Sequence, residues 1–152
     1  MATLTPRNPD FAARVRDSFG RQGAMTLIGA ELTRVEPGAV DIAVRFRPDL
    51  AQQHGYFHGG IVGMIADSAG GYAAFSLMPA DSSVLTVEYK INLLAPAHGE
   101  RLIARGRVSR AGRTLTVAQV EVAVIRDGQE TLCATALQTL MAMAGKADGP
   151  RI

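Results

Sequence analysis

The residues of this sequence able to do chemistry cluster in and just before one apolar stretch, HGGIVGMIADSAGGYAAFSLM at positions 58–78. Asp67 is its single side chain charged at neutral pH. A lone carboxylate is expensive to bury unless it is paired or protonated, so a fold keeps one there only when something requires it. Two readings follow. In one, Asp67 accepts hydrogen bonds from backbone amides or from a hydroxyl such as Ser68 or Thr86 and only fixes packing. In the other, burial raises the proton affinity of the carboxyl towards the range useful to a general base, and the ionised group is a poorly solvated nucleophile. At the start of the stretch, His58, Gly59 and Gly60 open a helix. The first N–H groups there have no intrahelical acceptor, and the helix dipole favours negative charge. Without side chains in the way, a carbonyl oxygen can approach the Gly59 N–H, which is an oxyanion hole in outline. The plain alternative is a glycine-rich loop meeting a helix.

These residues need a scaffold. A helix that is apolar or small nearly all round is buried on every side, so sheet must enclose it. Gly59, Gly63, Ala66, Gly70 and Ala73 or Ala74 recur three or four apart, a stripe without bulk against which another helix or a strand can pack closely. A bilayer span is the rival reading for 21 such residues, but the central carboxylate, the glycines and the lack of flanking basic clusters argue for a core helix. Ahead of it, Phe11, Val15 and Phe19 predict a short amphipathic helix over 9–20 whose apolar face docks on the body. A strand over 26–36 then turns at Pro37-Gly38, in type II geometry, into a strand where Val40, Ile42, Val44 and Phe46 alternate with charge. Behind it, Leu85, Val87, Tyr89, Ile91 and Leu93 alternate with Thr86, Glu88, Lys90 and Asn92. Strands at 101–109, 114–126 and 130–142 follow through hairpins at 111–113 and at Asp127-Gly128.

The 152 residues fit one domain, with an N-terminal helical extension over 1–22 and a tail over 145–152 expected to fray. With no Trp, the core must be aliphatic. A net charge of +2 with dispersed arginines argues against a nucleic-acid footprint. One cysteine, Cys133, excludes an internal disulfide, and Met1 to Asp10 has no apolar signal core, so a cytoplasmic location is expected. Cys133 reads as a small hydrophobe, and His54 and His98 as loop residues. No metal-ligand spacing exists among the histidines, Cys133 and the acids, so no metal is assigned.

Gln52, Gly55, His58, Gly59, Gly60 and Asp67, spaced QxxGxxHGGxxxxxxD, resemble the active-site signature of hotdog-fold thioesterases of the PaaI (phenylacetate-degradation) type. The resemblance runs from about residue 38 to 142 and includes LTVEYKINLLAPAHGE and the loop SRAGRTL. It implies an α+β fold, an antiparallel sheet of five or six strands around one long helix. It also implies hydrolysis of fatty or aromatic acyl-CoA thioesters without metal or cofactor, by a homodimer that often pairs into a tetramer. By position, Asp67 would be nucleophile or general base and Gly59 the donor to the thioester oxygen, with His58 positioning the loop and Gly60 beside it. Gln52 would bond the thioester or the attacking water, and Thr86 would help orient that water. Gly71 would face the acyl group, and Lys90, Arg110 and Arg113 would meet the coenzyme phosphates.

The reaction expected is hydrolysis of a medium-chain or aromatic acyl-CoA, in a pocket lined by apolar helix side chains with Tyr72 or Phe75. Either Asp67 activates water or it attacks directly to give a mixed anhydride. A hotdog module that binds acyl-CoA without cleaving it is the alternative, and a hydratase of the same fold stands behind both. Gly59 and Asp67 are eight residues apart, roughly 12 Å along a helix, too far for one carbonyl to meet both in the same chain. A two-fold dimer in which Asp67 comes from one protomer and Gln52 and Gly59 from its partner resolves this.

Overall fold

A computed structural model describes residues 4–150; Met1–Thr3 of the expected leaderless start and Arg151–Ile152 of the tail lie outside the described residues. The chain runs α1 (Phe11–Gly20), α2 (Gly23–Ile28), β1 (Ala30–Glu36), β2 (Ala39–Arg45), a 3-10 turn (Pro48–Leu50), α3 (Gly59–Phe75), β3 (Ser82–Leu93), β4 (Arg101–Ala111), β5 (Leu115–Arg126) and β6 (Gln129–Ala144). The six strands form one antiparallel sheet in the order β1-β2-β4-β5-β6-β3. The segment carrying α3 therefore leads from β2 to the far edge of the sheet, and β3 and β1 are the two edges.

Helix α3 starts and stops where its flanking polar groups say it should. The His58 side chain caps the start through Nδ1, which accepts from the Gly60 N–H at 2.8 Å. At the other end the fully buried Ser76 hydroxyl donates to Ala73 O at 2.6 Å and accepts from the Gly38 N–H at 2.8 Å. That ties the helix to the β1–β2 turn, where Gly38 takes φ +71° as the type II turn requires. Val62, Ile65, Ala66, Ala69 and Ala73 of the helix are buried, with Val40, Ile42, Leu102, Ala104, Val120 and Val122 of the sheet in the same core. The stripe of small residues meets a strand and side chains, not a second helix. A Cβ on Gly106 of β4 would overlap the Ala69 carbonyl and lie 2.7 Å from Gly70 N, so helix and strand touch backbone to backbone.

Two sequence expectations change. Residues 26–28 are not strand: Met25 and Ile28 are buried at helical spacing, and Gly29, at φ +68°, ends the turn before β1. The even alternation through β3 is broken by a bulge, since Thr86 pairs Leu140 and Glu88 pairs Thr139, which leaves Val87 as the extra residue. Thr86 consequently shares the inner face with Tyr89, Ile91 and Leu93 instead of pointing away from them. Asp148, in the segment expected to fray, meets Arg21, the residue that follows α1, at 2.7 Å. No helix among the described residues is long and apolar enough to cross a membrane.

The backbone contact predicts a sharp asymmetry between two glycines. Gly106→Ala should lower unfolding free energy by about 1–3 kcal/mol, because neither backbone can yield cheaply. Gly71→Ala, whose Cβ would meet only Leu140 Cδ2 at 3.6 Å, should be neutral or stabilising by up to ~1 kcal/mol through helix propensity. Urea denaturation of both variants measures the difference.

Candidate active site

Two cavities open along α3. The first, about 430 Å³, surrounds the helix start and is lined by Gln52, Tyr56, Gly59, Val62, Leu93 and Cys133, among others. Gln52 is held there by its own loop: its N–H donates to Tyr56 O at 2.9 Å, and its side-chain oxygen accepts from the His54 N–H. Because the Gly60 N–H is taken by His58, and a Cβ at Gly60 would lie 2.9 Å from that ring, Gly60 serves the cap. Among the described residues nothing accepts from the Gly59 N–H. It is the free donor at the positive end of a 17-residue helix and faces the cavity. Burial pushes the Cys133 thiol up to about 11, so it is a protonated wall residue at neutral pH.

The second cavity, about 310 Å³, lies two turns further on and contains Asp67, Thr86 and Gly71 with Ser18, Tyr72 and Asp148. Asp67 is half-buried here, not sealed, because α3 covers the sheet centre and leaves the inner face near β3 partly open. Its Oδ1 accepts from Thr86 Oγ1 at 2.7 Å and from Gln138 Nε2 at 2.8 Å. Among the described residues no donor meets Oδ2. The bulge in β3 is what aims Thr86 at the carboxylate. The Asp67–Thr86 bond realises the packing reading and leaves one oxygen for the chemical reading.

Tyr72 lines this cavity, but Phe75 does not: it is 1% exposed and lies in the core, with the Arg14 guanidinium 3.9 Å from its ring centroid. The walls are also less apolar than expected, since Ser18, whose hydroxyl is 3.1 Å from Tyr72 Oη, and Asp148 reach in from α1 and the tail. Lys90 sits elsewhere, on the outer sheet face beside Asn92, with its Nζ 2.8 Å from Asn92 Oδ1. The inner-face pairing of Tyr89 with Gln138 turns Lys90 outward. Arg110 and Arg113 are exposed at the β4–β5 hairpin, away from both cavities. Within one chain, then, the candidate site residues around α3 fall into two sets. Gln52, His58, Gly59 and Gly60 gather at one cavity, and Asp67, Thr86 and Gly71 at the other. Gln138 was not foreseen, although a glutamine in phase with the inward Ala134 and Ala136 was the available signal.

Comparison with known proteins agrees with this fold. The profile of the thioesterase superfamily matches residues 54–134. A protein of Saccharolobus solfataricus named provisionally as an esterase is 32% identical over 127 residues, covering 84% of this chain and 82% of that one. A 1,4-dihydroxy-2-naphthoyl-CoA hydrolase of Listeria monocytogenes is 25% identical over 66% of this chain and 81% of its own length. Among solved structures, a thioesterase family protein from Silicibacter pomeroyi superposes with a TM-score of 0.88 at 50% identity, over 89% of this chain and 99% of that one. The Escherichia coli PaaI protein of the phenylacetic acid degradation operon shares the fold at a TM-score of 0.80 and 18% identity, over 90% and 95% of the two chains. With a long helix wrapped by six antiparallel strands, a free N–H at its start and a carboxylate at its middle, this chain belongs to the thioesterase superfamily and is a hotdog-fold thioester hydrolase.

Proposed function

We propose that this enzyme hydrolyses acyl-CoA thioesters carrying a medium-chain or aromatic acyl group, with Asp67 as general base or nucleophile, in active sites that two protomers build together. The observation that carries the reading is the division of the signature between two cavities. Gly59 and Asp67 lie eight residues apart on α3, a rise of roughly 12 Å, whereas one thioester must meet donor and carboxylate within about 3 Å. A two-fold axis between antiparallel helices sets the start of one beside the middle of the other.

The exposed surface supports such a pairing. Strand β3 is a 12-residue edge with one side unpaired, and Val87, Tyr89, Leu93 and Leu94 along it are 44–60% exposed. Long apolar edges of this kind are covered in stable proteins. In the assembled site the thioester oxygen would sit on the Gly59 N–H of one protomer, with Gln52 beside it. Asp67 of the other would present Oδ2 to a water or to the carbonyl carbon. Attack on that carbon by the water or by the carboxylate itself gives a tetrahedral oxyanion at the helix start, and its collapse expels the coenzyme thiolate, leaving the free acid in the first case and a mixed anhydride that water then cleaves in the second. Gly71 and Tyr72 would line the acyl group. Arg110, Arg113 and Lys90 would supply cations for the phosphates from the exposed hairpin and sheet face, and a further pairing of dimers is proposed for the tetramer. A cytoplasmic site of action fits a substrate of this kind.

Purified protein should release free thiol from acyl-CoA, faster for hexanoyl and phenylacetyl than for acetyl, since each buried methylene contributes about 0.8 kcal/mol. Asp67→Asn should lower kcat by at least ~100-fold. A thiol-release assay measures both, and absence of turnover on every acyl group would instead identify a binding module. Site sharing has its own measurement. Asp67→Ala and Gln52→Ala proteins, each inactive, should regain roughly a quarter of wild-type sites when unfolded and refolded together, because a mixed dimer holds one doubly broken and one intact site. A mixture that stays inactive while native mass spectrometry shows mixed dimers would place the site within one chain.

A further inference from the structure

Strand β6 turns four residues of one face towards α3, namely Ala134, Ala136, Gln138 and Leu140, and all four are buried. Gln138 is only 1% exposed, and its Oε1 has no hydrogen-bond partner. An apolar side chain of similar volume would fill the same place without stranding a carbonyl oxygen, so packing does not explain a glutamine here. Its amide nitrogen does. Nε2 donates to Asp67 Oδ1 at 2.8 Å and also to Asp67 O at 3.2 Å, clasping the carboxylate to its own backbone.

The orientation of the amide follows from charge. An ionised carboxylate only accepts, so the NH2 must face Asp67 and the oxygen must point the other way, against Gly70. A Cβ at position 70 would collide with that oxygen, so Gly70 is the notch that accommodates the Gln138 amide. Two positions on different elements are thus matched to one task. Thr86 supplies the second donor to the same Oδ1 at 2.7 Å. With both donors on one oxygen, the torsions of the carboxylate are fixed and Oδ2 is the atom without a protein donor.

We propose that Gln138 is a positioning residue for Asp67: it locks the carboxylate rotamer and reserves Oδ2 for the reaction. This rests on the reading of Asp67 as base or nucleophile given above. Gln138 touches no cavity named here and has no role in holding the substrate. The other ionisable groups at the Asp67 cavity are Tyr72 of α3 and Asp148, which Arg21 just after α1 meets at 2.7 Å; the inner face of β3 adds Tyr89. None of these is altered by the substitutions below.

The test compares Gln138→Leu, Gln138→Glu and Asp67→Asn by steady-state kinetics across pH on one acyl-CoA, with thermal melting as the control for folding. Gln138→Leu should lower kcat about tenfold, the equivalent of one hydrogen bond to a charged group, with KM within about twofold of wild type. The acid limb of its kcat profile should move to higher pH, because a donor that favours the ionised carboxylate is gone. Its melting temperature should hold or rise, since the stranded oxygen is gone too. Gln138→Glu keeps the shape but sets a second carboxyl against Asp67, and should move the limb further in the same direction. A merely structural residue would change melting and leave the limb in place. If Gln138→Leu fails to fold, Gln138→Met provides the same loss of donor on an unbranched chain. A folded Leu or Met variant with wild-type kcat and an unmoved limb overturns the proposal. Asp67→Asn separates the two levels: an inactive Asn variant beside an unaffected Gln138→Leu removes the role of Gln138 alone, whereas an active Asn variant removes the role of Asp67 and this inference with it.

Discussion

At Gly106 the backbone of β4 runs against the Ala69–Gly70 backbone of α3 with no room for a Cβ between them, and this contact fixes the depth at which the helix lies in the sheet. The rest of the site follows from that depth. Only a helix seated so low brings a mid-helix aspartate within a hydrogen bond of side chains on β3 and β6. The cost falls on helix propensity, because glycines at 59, 60, 63, 70 and 71 each weaken an isolated helix relative to alanine. Burial on the sheet side offsets it, with Ile65, Ala66, Ala69 and Ala73 fully enclosed. The absence of tryptophan fits the same design, since small aliphatic side chains are what the thin space between helix and sheet admits.

The electrostatics are divided as the backbone is. The helix start supplies a fixed positive end with one N–H that no acceptor meets among the described residues, and the middle supplies a carboxyl group with one oxygen that no donor meets among them. Each half is complete as a piece of local structure: a histidine cap with the glycine that makes room for it, and a carboxylate held by two donors. In the shared-site reading proposed above, the two halves act on a thioester only together.

Much of this was legible in the sequence because it rests on periodicity or on local chemistry. The strands after Arg101 and the small-residue helix report burial patterns that recur every two or every three to four residues, whereas the strand of Val40, Ile42 and Val44, read as half-buried, is enclosed on both faces from Ala39 to Val44. Gly59 and Asp67 were readable because a free helix start and a lone charge each have a local signature, whereas His58, expected to position the loop, caps the helix instead. What escaped depended on contacts between distant residues. The bulge at Val87 leaves the sequence alternation of β3 unbroken and is visible only in its pairing with β6. Gln138 bonds a residue 71 positions away, and without the helix beside it reads as one more polar residue in a strand. Residues 23–28 are too short for a helical period to stand out, and the Arg21–Asp148 pair joins the two ends of the chain.

Cys133 closes the floor of the cavity at Gly59, and a thioesterase releases a free thiol at every turnover. A thiol that burial pushes up to about 11 is protonated at neutral pH, and only the thiolate exchanges with disulfides. The wall of the site is therefore chemically inert towards oxidised forms of its own product. Mixed disulfides between Cys133 and the released thiol would form slowly, so the wall beside the helix start keeps its shape while thiol accumulates next to it.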